Sequence, residues 1–423
     1  MYQQDNDLGF GLVLIFILAA LGCFLITLTR QHYQTRYEQI KLFLIALGVR
    51  FAASVVVYEF GLVQVLGDED SSGWMMGIVQ WQRWVRENVG ILELPSALSQ
   101  AYLGNHQGYY YMLGALFYVT EAAARIPAVT LNNFFGAMTV VFVYRIAHSL
   151  FSNWTAKWSG WIACFFPSLI IWSAQTVKEP VIIFLETVAL YACVNLKTSG
   201  FKIRYIGLCL AAVALLPPFR FYAAYLAGAS VIVALALPQI NKAKSTAQSM
   251  IASIILAVPL IIGGGMYAKN EASFERFSSM KEVDRFRFNV AQNAGSGAYY
   301  KFDLNSSTGL FMAITVGGAH LLLAPFPWQM GGGSMRMLLT APELLFWWWL
   351  FFAGFAPGFY YAIRNRFSEV QPLVLFIVGM GLLYSLMFGN VGLIFRQRSQ
   401  LMPWSYGAAG SSPREVKITK YAK

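Results

Sequence analysis

Charge is what this sequence lacks most: only 12% of its 423 residues are Asp, Glu, Lys or Arg. A soluble globular chain carries roughly 25%. Water demands a charged surface, so a chain this poor in charge is not mostly surrounded by water. Histidine is as scarce, at four, and so is cysteine, at four. Cys23, Cys164, Cys193 and Cys209 all fall inside apolar runs, where they read as small buried apolar residues rather than disulfide partners or metal ligands. No G-x-S-x-G elbow, Walker A lysine, H-E-x-x-H or Cys/His zinc spacing occurs, which excludes those nucleophile, nucleotide and zinc chemistries in their recognisable forms. The glycine triplets 263–265 and 331–333 do not join a strand to a helix and so do not read as phosphate cradles.

Long apolar runs are what the sequence has instead. Hydrophobic residues make up 57% of it and the mean hydropathy is +0.53. About 20 apolar residues cross the hydrocarbon core as one helix. Spans are expected near 8–29, 41–66, 127–148, 156–174, 180–197, 203–217, 219–238, 247–267, 343–363, 369–389 and, more weakly, 399–411. The fold class is therefore all-α: a polytopic transmembrane helical protein of about eleven spans, plus interfacial or re-entrant helices. The first run follows no basic segment, which reads as a retained span rather than a removed signal.

The net charge of +11 invites a nucleic-acid reading until its placement is examined. The basic residues cluster in short turns, as orientation signals do, and no basic stripe marks a soluble domain; no nucleic-acid partner is expected. If 108–124 and 310–327 lie along the interface rather than spanning, nearly every basic turn falls on one side, the cytoplasmic one. The expected organisation is one transmembrane domain, 1–423, with outer loops 67–107 and 268–309 and a short cytoplasmic tail 411–423.

Four groups of residues on the outer face could carry chemistry. The first is Asp68-Glu69-Asp70, three consecutive acids in a chain with only 20. A solvated acidic turn would look the same, but carboxylates there can also act as a general base or hold a divalent cation, the one cofactor the sequence leaves open. Trp74, Met75, Met76, Ile78, Val79, Trp81 and Trp84 follow with helical spacing, as an interfacial helix would have them. The second is His106 ahead of Tyr109-Tyr110-Tyr111. The third is Lys178-Glu179 in a short turn, where the two could simply neutralise each other or form a wall of a site. The fourth is a set of arginines outside the positive-inside pattern: Arg220, Arg396 and Arg398, with Arg285 and Arg287 in the second outer loop. Such cations snorkel to headgroups or bind an anion, and a guanidinium takes a phosphate bidentately.

In their order these features resemble the GT-C superfamily of membrane glycosyltransferases, which includes the protein O-mannosyltransferases and the family-39-like bacterial enzymes. The residues that carry the resemblance are Asp68-Glu69-Asp70 with Trp74, Gly108-Tyr109-Tyr110, Ala124-Arg125-Ile126, Tyr144-Arg145-Ile146-Ala147, Phe166-Pro167-Ser168 leading to Lys178-Glu179, and Arg396-Gln397-Arg398 before Met402-Pro403. The match covers roughly 41–240 and the rest loosely. An additional early span and the Lys178-Glu179 pair in place of a second metal-spaced acid depart from the family pattern.

The resemblance implies inverting transfer of a sugar from a polyprenyl-phosphate-linked donor to a glycan, lipid or protein acceptor. The site would lie on the extracytoplasmic face of a bacterial plasma membrane. Asp70, flanked by Asp68 and Glu69, would be the catalytic base. His106, Lys178, Glu179, Arg220, Arg396 and Arg398 would bind substrate. Three other readings use parts of the same sequence. A lipid-linked polysaccharide polymerase or ligase shares the arginines but has less need of the acids. A flippase or transporter would show charges deep in several spans and inverted repeats, and only Arg50, Glu59 and Glu186 are candidates for such charges. A membrane scaffold explains neither the acids nor the arginines.

Overall fold

The computed structural model describes residues 7–29, 32–63, 71–103, 107–200, 202–237, 279–293, 297–332 and 341–402. These fold almost entirely as helices. The elements that build the molecule are α1 (Leu8–Thr27), α2 (Tyr33–Glu59), α3 (Ser71–Arg86), α4 (Leu94–Ser99), α5 (Gly108–Thr120), α6 (Arg125–Leu150), α7 (Asn153–Phe165) and α8 (Pro167–Ser173). They continue with α9 (Glu179–Thr198), α10 (Ile203–Leu215), α11 (Phe221–Ala236), α12 (Met280–Gln292), α13 (Ser307–Leu323), α14 (Ala341–Leu350), α15 (Ala356–Leu386) and α16 (Val391–Arg398).

Among the described residues five helices are long and apolar enough to cross a membrane: α1, α2, α6, α9 and the continuous stretch Pro342–Leu386. Helices α10, α11 and α13 are apolar but shorter. The chain is a multi-pass membrane protein of all-helical class. Burial sorts its helices into layers. In α6 and α9, 89% and 83% of the most apolar stretch is buried, against 22% in α1. Helix α6 is the axis, packed by α1, α2, α7 and α9. Helix α1 turns Phe16, Ile17 and Phe24 outward, as suits a helix whose outer solvent is lipid.

Several expected spans take a different form. The stretch 156–174 is two helices, because Phe166 before Pro167 is held extended and Pro167 starts a new helix. The carbonyls left open at the end of α7 are met by Arg50, which donates to Ala163 O and Cys164 O at 3.0 Å each. This gives the buried arginine of α2 a capping task. The stretches 343–363 and 369–389 are helical arms that meet at a kink at Arg366 (φ −138°, ψ 25°), six residues before Pro372. The two ambiguous stretches are helices of 13 (α5) and 17 (α13) residues. The span expected at 247–267 and most of that at 399–411 lie outside the described residues.

Helices α3 and α5 pair closely through glycines. A Cβ on Gly77 would sit 2.8 Å from the Leu113 Cβ, and one on Gly114 would sit 3.1 Å from the Gln80 Cβ. This pairing splits the aromatic stripe read from sequence. Trp74, Ile78 and Trp84 are buried against the protein, while Met75, Met76, Val79 and Val85 remain exposed on the opposite face.

Candidate active site

The turn between α8 and α9 is where the chemistry-bearing residues meet. Asn132, about two turns inside α6, donates its side-chain amide to Gln175 O (2.7 Å) and Val177 O (2.8 Å). These bonds fix a turn that has no helix of its own. On its other side Gly73 at the start of α3 comes so close that a Cβ would sit 2.9 Å from Thr176 O. Nothing in the sequence singled out Asn132. The signal available was an amide pair, Asn132-Asn133, inside an otherwise apolar run. Asn132→Leu removes the donor from two buried carbonyls, each costing about 1–3 kcal/mol when unmade. Its thermal midpoint in detergent should fall well below that of wild type, whereas an unchanged midpoint would show that the turn holds itself.

Glu179 opens α9 directly after this turn, with Pro180 in the first helical turn. Its carboxylate is the centre of the site. Arg220 donates to Glu179 Oε1 at 2.8 Å, and Arg396 donates to Oε2 from the distant α16. The Glu179 side chain is 1% exposed, Arg220 8% and Arg396 17%, so the pairing takes place out of water. Arg396 also lies over the Trp172 ring, 5.5 Å from its centroid. Lys178 and Glu179 therefore do not neutralise each other as a closed pair. Glu179 belongs to the two arginines, because their planar forks reach its two oxygens separately.

Lys178 feels all three of these groups. Burial and the adjacent Arg220 push its ammonium down to about 7, against the opposing pull of Glu179. Below that, Glu186 sits two turns further along α9, fully buried. With its amide nitrogen facing Tyr384 and Glu186, Gln400 donates to Tyr384 Oη at 2.6 Å and to Glu186 Oε1 at 3.3 Å, and its oxygen accepts from Arg220. Arg220 also reaches Tyr384 Oη at 3.4 Å. Glu186, Tyr384 and Gln400 thus brace Arg220 from behind. Glu186 was read from the sequence only as a charge within a span, and Tyr384 and Gln400 had no distinguishing signal.

Arg398 lies apart from this cluster. It is fully buried, donates to Ala324 O at 2.6 Å, stands 3.9 Å from Glu343 and lies over Phe395 and Trp347. Glu343 in turn accepts from the Ser168 backbone N–H. Two residues along α16 turn the helix by about 200°. Arg396 and Arg398 therefore point to opposite sides, and only the first joins Glu179. Arg287 is likewise committed to structure: it donates to Phe388 O (3.1 Å), Tyr300 O (3.2 Å) and Asp284 (3.1 Å). Arg285 is exposed beside Glu282.

Asp68, Glu69, Asp70 and His106 lie outside the described residues. The acidic segment nonetheless leads into α3 at Ser71, two residues before the Gly73 contact with the Thr176 carbonyl. The His106 segment leads into α5, whose Gly108 N–H donates to Pro218 O at 2.9 Å, two residues before Arg220. Of the described residues, Gly73 thus lies against the turn that precedes Glu179, and Gly108 against the residues that precede Arg220.

A small apolar void, with room for no more than about one water molecule, adjoins the cluster, lined among others by Arg50, Leu169, Trp172, Pro180 and Ile183. Trp172 is shared between its wall and the Arg396 contact. Among the described residues no group of three or more His, Cys, Asp or Glu side chains is placed to hold a metal ion. Both oxygens of Glu179 face guanidinium groups instead.

No protein-family model matches the sequence, and no curated protein does. Among solved structures, the chain is similar to the archaeal oligosaccharyltransferase AglB from Archaeoglobus fulgidus, a structure that contains an inhibitory peptide and a dolichol-phosphate. The two are 12% identical with a TM-score of 0.47, and the match covers 92% of this chain and 52% of the other. The chain thus spans about half the length of that protein.

Proposed function

We propose that this chain is a GT-C-type membrane glycosyltransferase that moves a sugar from a polyprenyl-phosphate-linked donor to an acceptor hydroxyl, with inversion, at the Glu179 end of the helical bundle. The observation that carries this reading is the convergence of Arg220 and Arg396 on one carboxylate in a buried setting, with Lys178 within electrostatic reach of all three. Guanidinium groups in excess of their counter-charge suit a phosphate, and in low dielectric they stabilise a leaving group far more than they would in water.

In the proposed reaction a carboxylate, assigned to Asp70, accepts the proton of the acceptor hydroxyl. The hydroxyl oxygen attacks the anomeric carbon, and the carbon–oxygen bond to phosphate breaks. The electron pair of that bond leaves with the polyprenyl phosphate, whose new negative charge Arg220 and Arg396 hold. Glu179 keeps the two arginines positioned while the site is empty. We place the site on the extracytoplasmic face, as the distribution of basic turns favours.

Binding of a polyprenyl phosphodiester to the purified protein, compared with the same polyprenol, tests this reading. The phosphodiester should bind at least ten times more tightly, and Arg396→Gln should remove most of that preference. Equal binding of the two lipids would defeat the proposal. Lys178 adds a pH signature. Its ammonium is present below about 7 and is lost above it, so affinity for the diester, which does not itself titrate there, should weaken as pH rises past 7. That dependence should be absent from Lys178→Met.

A further inference from the structure

A second cationic centre lies on the other side of the 175–177 turn and belongs to none of the groups above. Arg125 is the first residue of α6, a 26-residue helix whose N-cap, Ala124, offers no side-chain bond. The arginine is 4% exposed. Its guanidinium carbon lies 4.2 Å from the ring centroid of Trp74 and 5.9 Å from that of Tyr58. Yet Arg125 Nη1 is buried without a hydrogen-bond partner, and so is Nε1 of the Trp74 indole beside it. Among the described residues no carboxylate forms an ion pair with Arg125. Two donors without a hydrogen-bond partner thus meet at a helix start: a guanidinium N–H and an indole N–H.

We propose that Arg125, Trp74 and the N-terminus of α6 form a second anion site, which takes a carboxylate or phosphate oxygen group on a molecule other than the sugar donor. Three arguments converge. Buried donors left unmade are costly, and two such donors in contact call for one acceptor-rich ligand. A helix N-terminus directs its N–H groups and its dipole toward negative charge. The two rings shield the guanidinium from water on their faces, leaving its edge for an in-plane oxyanion. Because Gly73 of the Trp74 helix packs on the Thr176 carbonyl, and Glu179 follows three residues later, the two anion sites flank a single turn. An acidic acceptor held at Arg125 would sit beside a donor held at Arg220 and Arg396. The Arg125 site itself does not rest on the transferase reading, since its occupancy is measured with no donor present.

The test is fluorine NMR on full-length protein labelled with 5-fluorotryptophan in a phosphate-free maltoside detergent, with the Trp74 resonance assigned by its loss in Trp74→Phe. Titrated inorganic phosphate should shift that resonance saturably in wild type and in Arg396→Gln, and not in Arg125→Gln. Should Arg125→Gln fail to fold, the wild-type and Arg396→Gln titrations still decide. A Trp74 resonance indifferent to phosphate in wild type would overturn the proposal. So would a response that appears only when Asp68, Glu69 and Asp70 are replaced by their amides, because the chain's own acids would then fill the place. In phosphatidylcholine nanodiscs without added phosphate, a resonance already at its shifted position identifies the lipid headgroup as the source of the oxyanion. A resonance still responsive to added phosphate identifies a free ligand.

Discussion

Replacing Glu179 by glutamine should destabilise the protein by about 3–5 kcal/mol, the cost typical of removing one partner from a buried ion pair. The glutamine is nearly isosteric, so the effect is one of charge. Arg220 and Arg396 would then face each other, with Lys178 beside them, and lack the carboxylate to which both donate. Thermal unfolding in detergent measures the loss. Two further variants separate this cause from general damage. Glu179→Gln combined with Arg396→Met should recover much of the loss, because one of the two uncompensated guanidinium groups is gone. Glu282→Gln, which breaks the exposed pair with Arg285, should cost only about 0–1 kcal/mol. A polyprenyl phosphodiester should also raise the midpoint of Glu179→Gln more than that of wild type, since its phosphate would restore the missing negative charge. A Glu179→Gln protein as stable as wild type would remove Glu179 from the centre of the cluster.

The second large effect is on turnover. Asp70→Asn should reduce sugar transfer by about 10²–10⁴-fold, the usual contribution of a positioned general base, while the protein still inserts and keeps its midpoint. Asp68→Asn and Glu69→Gln should each retain far more activity. Transfer from a polyprenyl-phosphate sugar, measured with radiolabelled donor in proteoliposomes, distinguishes them. Full activity in Asp70→Asn would sink its assignment as the base, and loss in Asp68→Asn alone would move the role two residues back. The pair of predictions separates two tasks. Asp70 is assigned to proton transfer and Glu179 to holding the phosphate clamp, so the first variant should lose turnover at wild-type stability and the second should lose stability first.

The sequence by itself determined the solvent of this protein and most of its helices. A chain with 12% charge and apolar runs of some 20 residues has few structures open to it, because unpaired backbone groups cannot be left in hydrocarbon. Helices α1, α6 and α9 stand close to where their runs predict them, since local backbone bonding settles a helix without distant partners, whereas α2 (Tyr33–Glu59) begins and ends earlier than the expected 41–66. The sequence also singled out Arg220 and Arg396, which break the positive-inside pattern, and the Lys178-Glu179 pair in a short turn.

Which of the arginines belong together was decided only by the tertiary structure. Arg396 and Arg398 are two residues apart and alike in composition, yet helical geometry sends one to Glu179 and the other to Glu343 and the Ala324 carbonyl. Arg287 looked like a free cation and is spent on three acceptors within the protein. Tyr384 and Gln400 carried no signal and Asn132 only that of an amide pair in an apolar run, because an amide or a phenol in a span acquires meaning only from what lies opposite it. Period and hydropathy report the axis and the face of a helix. A buried charge network depends on contacts between residues 41 and 217 positions apart, such as those of Arg220 and Arg396 with Glu179, and packing alone brings them together.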